Sequence, residues 1–344
     1  MRFAPLCAFA VLNAFTIAPA DAGSFDAFYA FGDSLTDTGN VYTATSGTEP
    51  ASPYFSGRFS NGPIWADDVA AALGLSVKPS LQGGTNYAYG GAESGVTPAH
   101  TTASFLDLLG PAGQLAQFTA AHPQADPNAL YAIWIGSNDI EDLLVTNPTA
   151  AQAQADIAAI VANIDTSILD LATLGARNFL IVTVPDLGKT PRALALGPAA
   201  SAAASTVSGL FDTTLVNGAG PLPSLGSLAA GAGLNVSVLD TFSLLDSVIA
   251  NPSTYGFTNT MFPCLTGAIN FAGGTVCSAD TAVQNQFVFW DETHPTSAAQ
   301  ALVGAAALAT VTPEPSSVVL SGGGLLLLCA LMRRKFRRQP ELHA

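Results

Sequence analysis

Short apolar runs recur along the chain, each bounded by a turn that contains glycine or polar residues. Four of them cover residues 26–31, 130–135, 178–184 and 235–239. Because the apolar residues are nearly continuous, these runs indicate strands buried on both faces. Such strands are typical of parallel sheets that are covered by helices. The pattern therefore predicts a mostly parallel central sheet.

The clearest helix is predicted over residues 151–174, which end at Gly175. Its apolar residues recur at spacings of three and four and form one stripe, made of Ile157, Ile160, Val161, Ile164, Ile168 and Leu171. A strand follows within a few residues, and repeated strand–helix units predict an α/β fold with a three-layer α/β/α sandwich. Residues 39–61, 93–110 and 218–233 have no regular pattern and are predicted to be surface loops.

The first 22 residues have a different pattern. Arg2 precedes an apolar run that closes on Ala20-Asp21-Ala22. A short apolar stretch that ends in a small-x-small site is typical of a cleavable secretory signal. No polar face repeats at helical spacing, which argues against a buried first helix. We therefore expect residues 1–22 to be removed by signal peptidase and the body to be exported.

The other end of the chain carries an apolar run over residues 318–332, followed by the basic cluster Arg333, Arg334, Lys335, Arg337 and Arg338. As a helix this run would rise roughly 22 Å, which is short of the ~30 Å hydrocarbon core of a bilayer. The basic cluster should remain cytoplasmic, which leaves the upstream chain outside. Both ends therefore predict the same topology, with the body in the periplasm, at the cell surface or outside the cell.

Residues 312–316 read Thr-Pro-Glu-Pro-Ser, directly before that apolar run. The Pro-Glu-Pro box, the apolar segment and the basic end together resemble the PEP-CTERM sorting signal of Gram-negative bacteria. The resemblance implies processing by an exosortase-type membrane enzyme and a link to exopolysaccharide export. A plain C-terminal membrane anchor is the alternative. The predicted organisation is a signal peptide (1–22), a catalytic domain (23–311) and a sorting segment (312–344).

Without its two ends the chain is strongly acidic. The body from Gly23 to Pro315 keeps five basic residues against 23 acidic ones, a net charge of −18. Such a body repels phosphate backbones, so no nucleic-acid partner is expected. The body also keeps two cysteines, Cys264 and Cys277, which an oxidising compartment favours as one disulfide. A zinc site is the alternative, but two cysteines without nearby histidines do not supply four ligands.

Two segments carry residues suited to nucleophilic catalysis. Ser34 lies in a glycine-containing turn after the first predicted strand, where open α/β sheets present reactive groups. A serine needs a base to become nucleophilic, and His294 can supply one. Asp291 lies three residues earlier and can orient that histidine. Metal binding is the rival use of this Asp-x-x-His pair, but no further ligand cluster completes a site. His100 and His122 are interpreted as surface or core residues with no task.

Four blocks in a fixed order resemble the GDSL, or SGNH, hydrolase family. The outer two are Gly-Asp-Ser-Leu at residues 32–35 and Asp-x-x-His at 291–294, and the inner two cover 84–92 and 136–139. The lipase/esterase branch in particular is similar, through the second block and through residues 126–131. The resemblance spans nearly the whole body and implies a flavodoxin-like SGNH-hydrolase sandwich with a Ser34–His294–Asp291 triad.

The same resemblance implies an oxyanion hole. Its donors are the Ser34 backbone N–H, a glycine N–H of the second block and the Asn138 amide. Gly91 is assigned as the glycine donor, with Gly90 as the alternative. Asp33 and Asp139, the neighbours of two of these residues, are interpreted as structural hydrogen-bonding residues. No metal and no organic cofactor are implied.

The implied activity is ester hydrolysis through an acyl-enzyme intermediate. Substrates in the family range from short acyl esters and lipids to acylated sugars, so the sequence leaves the acyl chain and the alcohol open. An exopolysaccharide O-deacetylase is the alternative enzyme. A surface or biofilm-matrix protein that only binds is the alternative from another class, since a fold does not fix a function. Residues 54–62 are expected to help shape a substrate pocket.

Overall fold

The four apolar runs form one parallel sheet in the structure. The computed structural model describes residues 25–267 and 273–312, so the predicted signal peptide and nearly all of the sorting segment lie outside the described residues. The sheet consists of β1 (Phe28–Gly32), β2 (Leu130–Trp134), β3 (Asn178–Val182) and β4 (Asn235–Leu239), which pair in that order and are all parallel. A two-stranded antiparallel ribbon contains β5 (Leu265–Thr266) and β6 (Thr275–Val276).

The α-helices of the described residues cover both faces of the sheet. In chain order they are α1 (Asn40–Ala44), α2 (Trp65–Ala72), α3 (Gln114–Ala121), α4 (Ser137–Val145), α5 (Ala150–Leu174), α6 (Pro191–Ala195), α7 (Pro198–Asn217), α8 (Leu225–Ala232), α9 (Thr241–Ala250), α10 (Thr281–Gln284) and α11 (Ser297–Val311). Short 3₁₀ turns at Ser80–Gln82, Leu187–Lys189 and Pro252–Tyr255 connect some of them.

Alternate residues of each strand enter two different cores. Tyr29 and Phe31 of β1 pack under α3, α5, α7 and α8, whereas Phe28 and Ala30 pack under α2 and α11. Because successive strand side chains point to opposite faces, one run of apolar residues supplies both layers. The predicted three-layer α/β/α sandwich with a parallel sheet is therefore confirmed.

Residues 85–89 lie along the free edge of β1. The Ala30 N–H donates to the Thr85 carbonyl at 3.1 Å, and the Tyr87 N–H donates to the Ala30 carbonyl at 2.7 Å. The sheet therefore grows from β1 in both directions, first toward residues 85–89 and then toward β2. This reversal is the switch point of a flavodoxin-like sheet, where ligands bind beyond the carboxyl ends of the strands.

The predicted core helix is α5, which covers Ala150–Leu174 and carries its apolar stripe in the larger core. Among the described residues, α5 is long and apolar enough to cross a membrane by length and composition alone, a test that core helices also pass. The prediction of a loop over residues 218–233 was wrong, because α8 occupies its second half. Leu225, Leu228 and Ala229 of α8 are buried at helical spacing, but glycines on both sides hide that pattern in the sequence.

Cys264 and Cys277 form a disulfide that joins the start of the β5–β6 ribbon to its end. Their Cα atoms are 4.8 Å apart, and the Cys277 N–H donates to the Cys264 carbonyl at 2.6 Å. The predicted pairing is confirmed. Tyr54 and Trp290 pack in the same small buried cluster as Cys264, so this ribbon adjoins the segment that carries His294.

Candidate active site

Ser34 lies in a tight turn directly after β1. The backbone N–H groups of Thr36 and Asp37 both donate to the Asp33 carbonyl at 3.0 Å, which closes the turn. A Cβ atom on Gly32 would lie 2.2 Å from the Trp134 carbonyl of β2, so only glycine allows the two strands to approach here. The turn therefore leaves the Ser34 side chain at the carboxyl end of the sheet.

His294 reaches Ser34 from a loop 260 residues later in the chain. A bridge between Phe289 and Pro295 and a hydrogen bond from the Trp290 N–H to the His294 carbonyl (2.7 Å) fix this loop. The His294 Nε2 atom lies 2.8 Å from the Ser34 Oγ atom, and both residues are buried. The imidazole is therefore placed to accept the hydroxyl proton.

Asp291 holds the other side of the imidazole. Its Oδ2 atom lies 2.7 Å from His294 Nδ1, and its Oδ1 atom accepts the backbone N–H groups of Thr293 (2.8 Å) and His294 (2.7 Å). The Tyr54 hydroxyl donates to the same Oδ2 atom at 2.6 Å. These bonds orient a carboxylate that has no solvent exposure. With Nδ1 donating to Asp291, the Nε2 atom is left as the acceptor.

Burial and pairing act in opposite directions on this pair. Burial raises the pKa of Asp291, but the positive charge and hydrogen bonds of His294, aided by the Tyr54 hydroxyl, bring the pKa below its ordinary value. Burial lowers the pKa of His294, but the charge and hydrogen bond of Asp291 raise it above its ordinary value. The carboxylate therefore stabilises an imidazolium, the form that arises when His294 accepts a proton.

The hydrogen bonds of the second block distinguish its two glycines. The Gly90 N–H donates to the Asp37 carboxylate at 3.0 Å, whereas the Gly91 N–H has no acceptor within the part of the chain that the structure describes. A Cβ atom on Gly90 would also lie 2.3 Å from the ring of Phe59, which packs against His294. Of the two, Gly91 therefore has the N–H group available to a ligand.

The structure places Asn138 at the start of α4, on the wall of the same cavity as Ser34 and Gly91. One hydrogen of its side-chain amide is donated to the Ala92 carbonyl at 2.7 Å. An amide nitrogen carries two hydrogens, so the second remains for a ligand. The bond to Ala92 also fixes Asn138 relative to the loop that carries Gly91. The three predicted oxyanion donors thus line one cavity.

The neighbouring carboxylates hold the backbone. Asp33 Oδ1 accepts the Leu35 N–H at 2.9 Å, and burial raises the pKa of Asp33 to about 7. Asp139 accepts the Ser94 N–H at 3.0 Å and the Ser94 hydroxyl at 2.6 Å, and burial raises its pKa to about 6. Asp139 therefore ties the loop after the second block to α4, the structural role predicted from the sequence.

The cavity beside Ser34 has a volume of about 320 Å³. Besides the residues described above, its lining contains a set of apolar side chains, here called the apolar wall: Leu244, Leu245, Val248, Val288, Phe289, Ala299, Leu302 and Val303. Most of this wall belongs to α9 and α11. Arg192 and Glu141 form an ion pair that also lines the cavity. Pockets of this size that combine an apolar wall with a few polar groups are typical of small-molecule sites.

The lining of the cavity and the surroundings of Asp291 were predicted from the sequence only in part. Residues 54–62 were expected to shape the pocket, and within them Phe59 lines the cavity. Tyr54 instead contacts Asp291, a residue 237 positions away, and no local sequence pattern signals that contact. Arg192 and Glu141 were not predicted at all. His122 is half-buried and packs against Phe118 and Tyr29.

The amino-acid sequence is similar to those of several known proteins. Lipase 1 from Photorhabdus luminescens is 29% identical, over 82% of this chain and 50% of the relative. The thermolabile hemolysin of Vibrio parahaemolyticus is 27% identical, over 78% of this chain and 60% of the relative. The chain thus spans between half and three-fifths of these two relatives.

Two further matches cover a larger share of the matched protein. A phosphatidylcholine-sterol acyltransferase from Aeromonas hydrophila is 29% identical, over 75% of this chain and 71% of the relative. Among solved structures, an acetylxylan esterase from Geobacillus stearothermophilus matches with a TM-score of 0.42 and 14% identity, over 84% of this chain and 95% of that chain. The model of the family GDSL-like Lipase/Acylhydrolase matches residues 28–307. The chain therefore belongs to the GDSL-like lipase/acylhydrolase family.

Proposed function

We propose that this protein is a serine carboxylic ester hydrolase with Ser34 as nucleophile, His294 as general base and Asp291 as the residue that orients it. The observation that carries the proposal is the continuous hydrogen-bond chain from the Ser34 hydroxyl through the imidazole to the Asp291 carboxylate. Family membership supports the reaction class. A role in binding alone would not require this chain of buried polar groups.

The first half of the reaction forms an acyl-enzyme. As Ser34 Oγ attacks the ester carbonyl carbon, its proton moves to His294 Nε2, and the resulting imidazolium is stabilised by Asp291. The carbonyl oxygen becomes an oxyanion that accepts hydrogen bonds from the N–H groups of Ser34 and Gly91 and from the Asn138 amide. His294 then gives the proton to the departing alcohol oxygen, and the acyl group stays on Ser34.

The second half repeats these steps with water. His294 Nε2 accepts a proton from a water molecule as the water oxygen attacks the acyl carbonyl. The same three donors stabilise the second oxyanion. Collapse of that intermediate breaks the bond to Ser34 Oγ, which regains its proton from His294. The products are a carboxylic acid and the free enzyme.

The apolar wall of the cavity favours an aliphatic acyl group longer than acetyl. Each methylene buried there contributes about 0.8 kcal/mol, or roughly fourfold in kcat/KM, until the wall is covered. An acetyl group reaches little of a wall built from α9 and α11. We therefore propose esters of aliphatic acids longer than acetate as the preferred substrates, ahead of acetylated exopolysaccharide.

The test is hydrolysis of p-nitrophenyl esters from acetate to palmitate. We expect kcat/KM to rise from acetate to a longer chain, and kcat to fall at least ~10⁴-fold in Ser34→Ala. Ser167→Ala is the matched control, because its hydroxyl is also buried but bonds within α5. Equal turnover by Ser34→Ala and the unmodified protein would refute the mechanism. Preference for acetylated glycans over every aliphatic ester would favour the deacetylase.

The same proposal includes export of the body and processing of both ends. The sequence patterns of residues 1–22 and 312–344 support it. Mass spectrometry of the mature protein from a bacterium that contains an exosortase is the test. We expect an N-terminus at Gly23 and loss of the segment after about residue 312. A mature protein that retains both ends would contradict this part of the proposal and leave the hydrolase mechanism untouched.

A further inference from the structure

Three potential metal ligands lie close together next to the end of the second block, residues 84–92. Donor atoms of Glu93, His100 and Asp142 all lie within 4.8 Å of one another. Glu93 is only 5% exposed, and its Oε2 atom has no hydrogen-bond partner among the described residues. A buried carboxylate oxygen without a hydrogen-bond donor is costly, and this one is satisfied either by a proton shared with the neighbouring Asp142 carboxylate or by a bound cation. Asp142 is exposed, which leaves the cluster open to solvent on one side.

His100 is oriented as metal-binding histidines usually are. Its Nδ1 atom lies 3.1 Å from Glu93 Oε1, on the side of the cluster. Its Nε2 atom lies 3.3 Å from Asp107 Oδ2, on the opposite side. Asp107 is itself fixed by the Ser104 N–H at 2.6 Å and the Glu93 N–H at 3.1 Å. A carboxylate on the far nitrogen fixes the tautomer and leaves the near nitrogen as the ligand.

We propose that Glu93, His100 and Asp142 bind one divalent transition-metal cation, with Zn²⁺ as the preferred ion. Ligand atoms about 2.0–2.2 Å from one ion are about 3.5 Å apart in tetrahedral geometry. The ligand atoms of this cluster lie within 4.8 Å of one another, so a rotation of the exposed Asp142 side chain is needed to bring all three to one ion. An imidazole nitrogen favours zinc over the hard cations Ca²⁺ and Mg²⁺, which prefer oxygen ligands. Water fills the remaining coordination positions.

Two of the three ligands lie close in sequence to the proposed oxyanion donors, although the site itself lies outside the catalytic cavity. Glu93 follows Gly91 by two residues, and Asp142 follows Asn138 by one turn of α4. The bound cation therefore links the loop that carries Gly91 to the helix that carries Asn138. It adds to the link that Asp139 already makes with Ser94. The site lies outside the catalytic cavity and does not depend on the proposed reaction.

The test is isothermal titration of the full chain, without a histidine tag and after chelator treatment, with Zn²⁺, Mn²⁺ and Ca²⁺ in separate runs. We expect one Zn²⁺ per chain, bound more tightly than Mn²⁺ and Ca²⁺. His100→Ala and Asp142→Asn should each weaken Zn²⁺ binding at least ~tenfold. Thermal unfolding supplies a second readout, because a cation that binds the folded chain raises Tm.

Two controls separate this site from general attraction to an acidic surface. Asp170→Asn removes the same charge from an exposed position on α5 and should leave Zn²⁺ affinity unchanged. His294→Ala removes the other Asp–His pair and should also retain the bound Zn²⁺. Three results would overturn the proposal: no saturable Zn²⁺ binding, equal affinity in His100→Ala, or tighter binding of Ca²⁺ than of Zn²⁺. Circular dichroism confirms that each variant is folded.

Discussion

Replacing Tyr54 with phenylalanine removes one hydroxyl group from the hydrogen-bond network around His294. In the structure, Asp291 Oδ2 accepts two hydrogen bonds, from the Tyr54 hydroxyl at 2.6 Å and from His294 Nδ1 at 2.7 Å. Without the first bond, the carboxylate interacts more strongly with the second donor. Tyr54 is not among the residues that line the cavity, and its hydroxyl donates to Asp291, so we expect it to act as a positioning residue through Asp291.

The size of the effect follows from the kind of bond that is lost. A hydrogen bond to a charged group contributes about 1.5–3 kcal/mol net. Part of that energy stabilises the imidazolium in the variant, and about 1.4 kcal/mol corresponds to one pKa unit. The pKa of His294, already above its ordinary value, should therefore rise further.

The role proposed for His294 determines the direction of the change in activity. The base must be neutral to accept the Ser34 proton, so kcat/KM falls as the pH drops through the pKa of His294. This fall is the acidic limb of the pH profile of kcat/KM, and a higher pKa of His294 moves the limb to higher pH. In Tyr54→Phe we expect that upward move, and a loss of less than ~tenfold in kcat on the plateau because Asp291 is less firmly oriented.

The assay is kcat/KM for p-nitrophenyl butyrate between pH 5 and 9, with Tyr131→Phe as the matched control. The Tyr131 hydroxyl donates to the Asp126 carbonyl at 2.9 Å, away from the site, so its removal should leave the limb in place. A folded Tyr54→Phe variant whose limb stays fixed or moves to lower pH would refute the reasoning. In that case Tyr54 would support the fold alone.

Three further variants test other parts of the structure. Asn138→Ala removes one of the proposed oxyanion donors and should lower kcat by about 10²–10³ with little change in KM. A loss below tenfold in steady-state assays would contradict that role. Val248→Phe places a larger side chain in the apolar wall and narrows the cavity, so the preferred p-nitrophenyl ester should have a shorter acyl chain. An unchanged optimum of acyl chain length would mean that acyl groups bind elsewhere. Replacing Cys264 and Cys277 together by alanine opens a loop with a sequence separation of 13 and should lower the free energy of unfolding by about 3 kcal/mol in guanidinium titrations. A change below about 1 kcal/mol would count against that estimate.

Sequence reasoning succeeded where the fold requires a local pattern. The two central strands β1 and β2 were predictable because both of their faces are buried, so nearly every residue in them is apolar. The α5 stripe was predictable because one face of a long helix packs on the sheet. The location of Ser34 followed from the short turn after β1. The meeting of Ser34 and His294, in contrast, was inferred from the resemblance in block order, since no local pattern brings them together.

Long-range contacts of single side chains could not be predicted in this way. The Tyr54–Asp291 bond joins residues that share no periodicity, and a tyrosine in a loop has many possible partners. The choice of Gly91 over Gly90 depends on Asp37 occupying one N–H group, a contact made across 53 residues. The roles of residues 1–22 and 312–344 stay predictions, because nearly all of those residues lie outside the described part of the chain.

The separation of Ser34 and His294 along the chain has a consequence for how activity reports on folding. Ser34 follows the first strand, and His294 lies just before the last helix of the described residues, 260 positions later. The contact between the two residues forms only after other contacts have offset the entropic cost of closing the segment between them. Hydrolysis therefore measures completion of the whole domain: a chain can hold its helices and much of its sheet and still be inactive until its last segment docks.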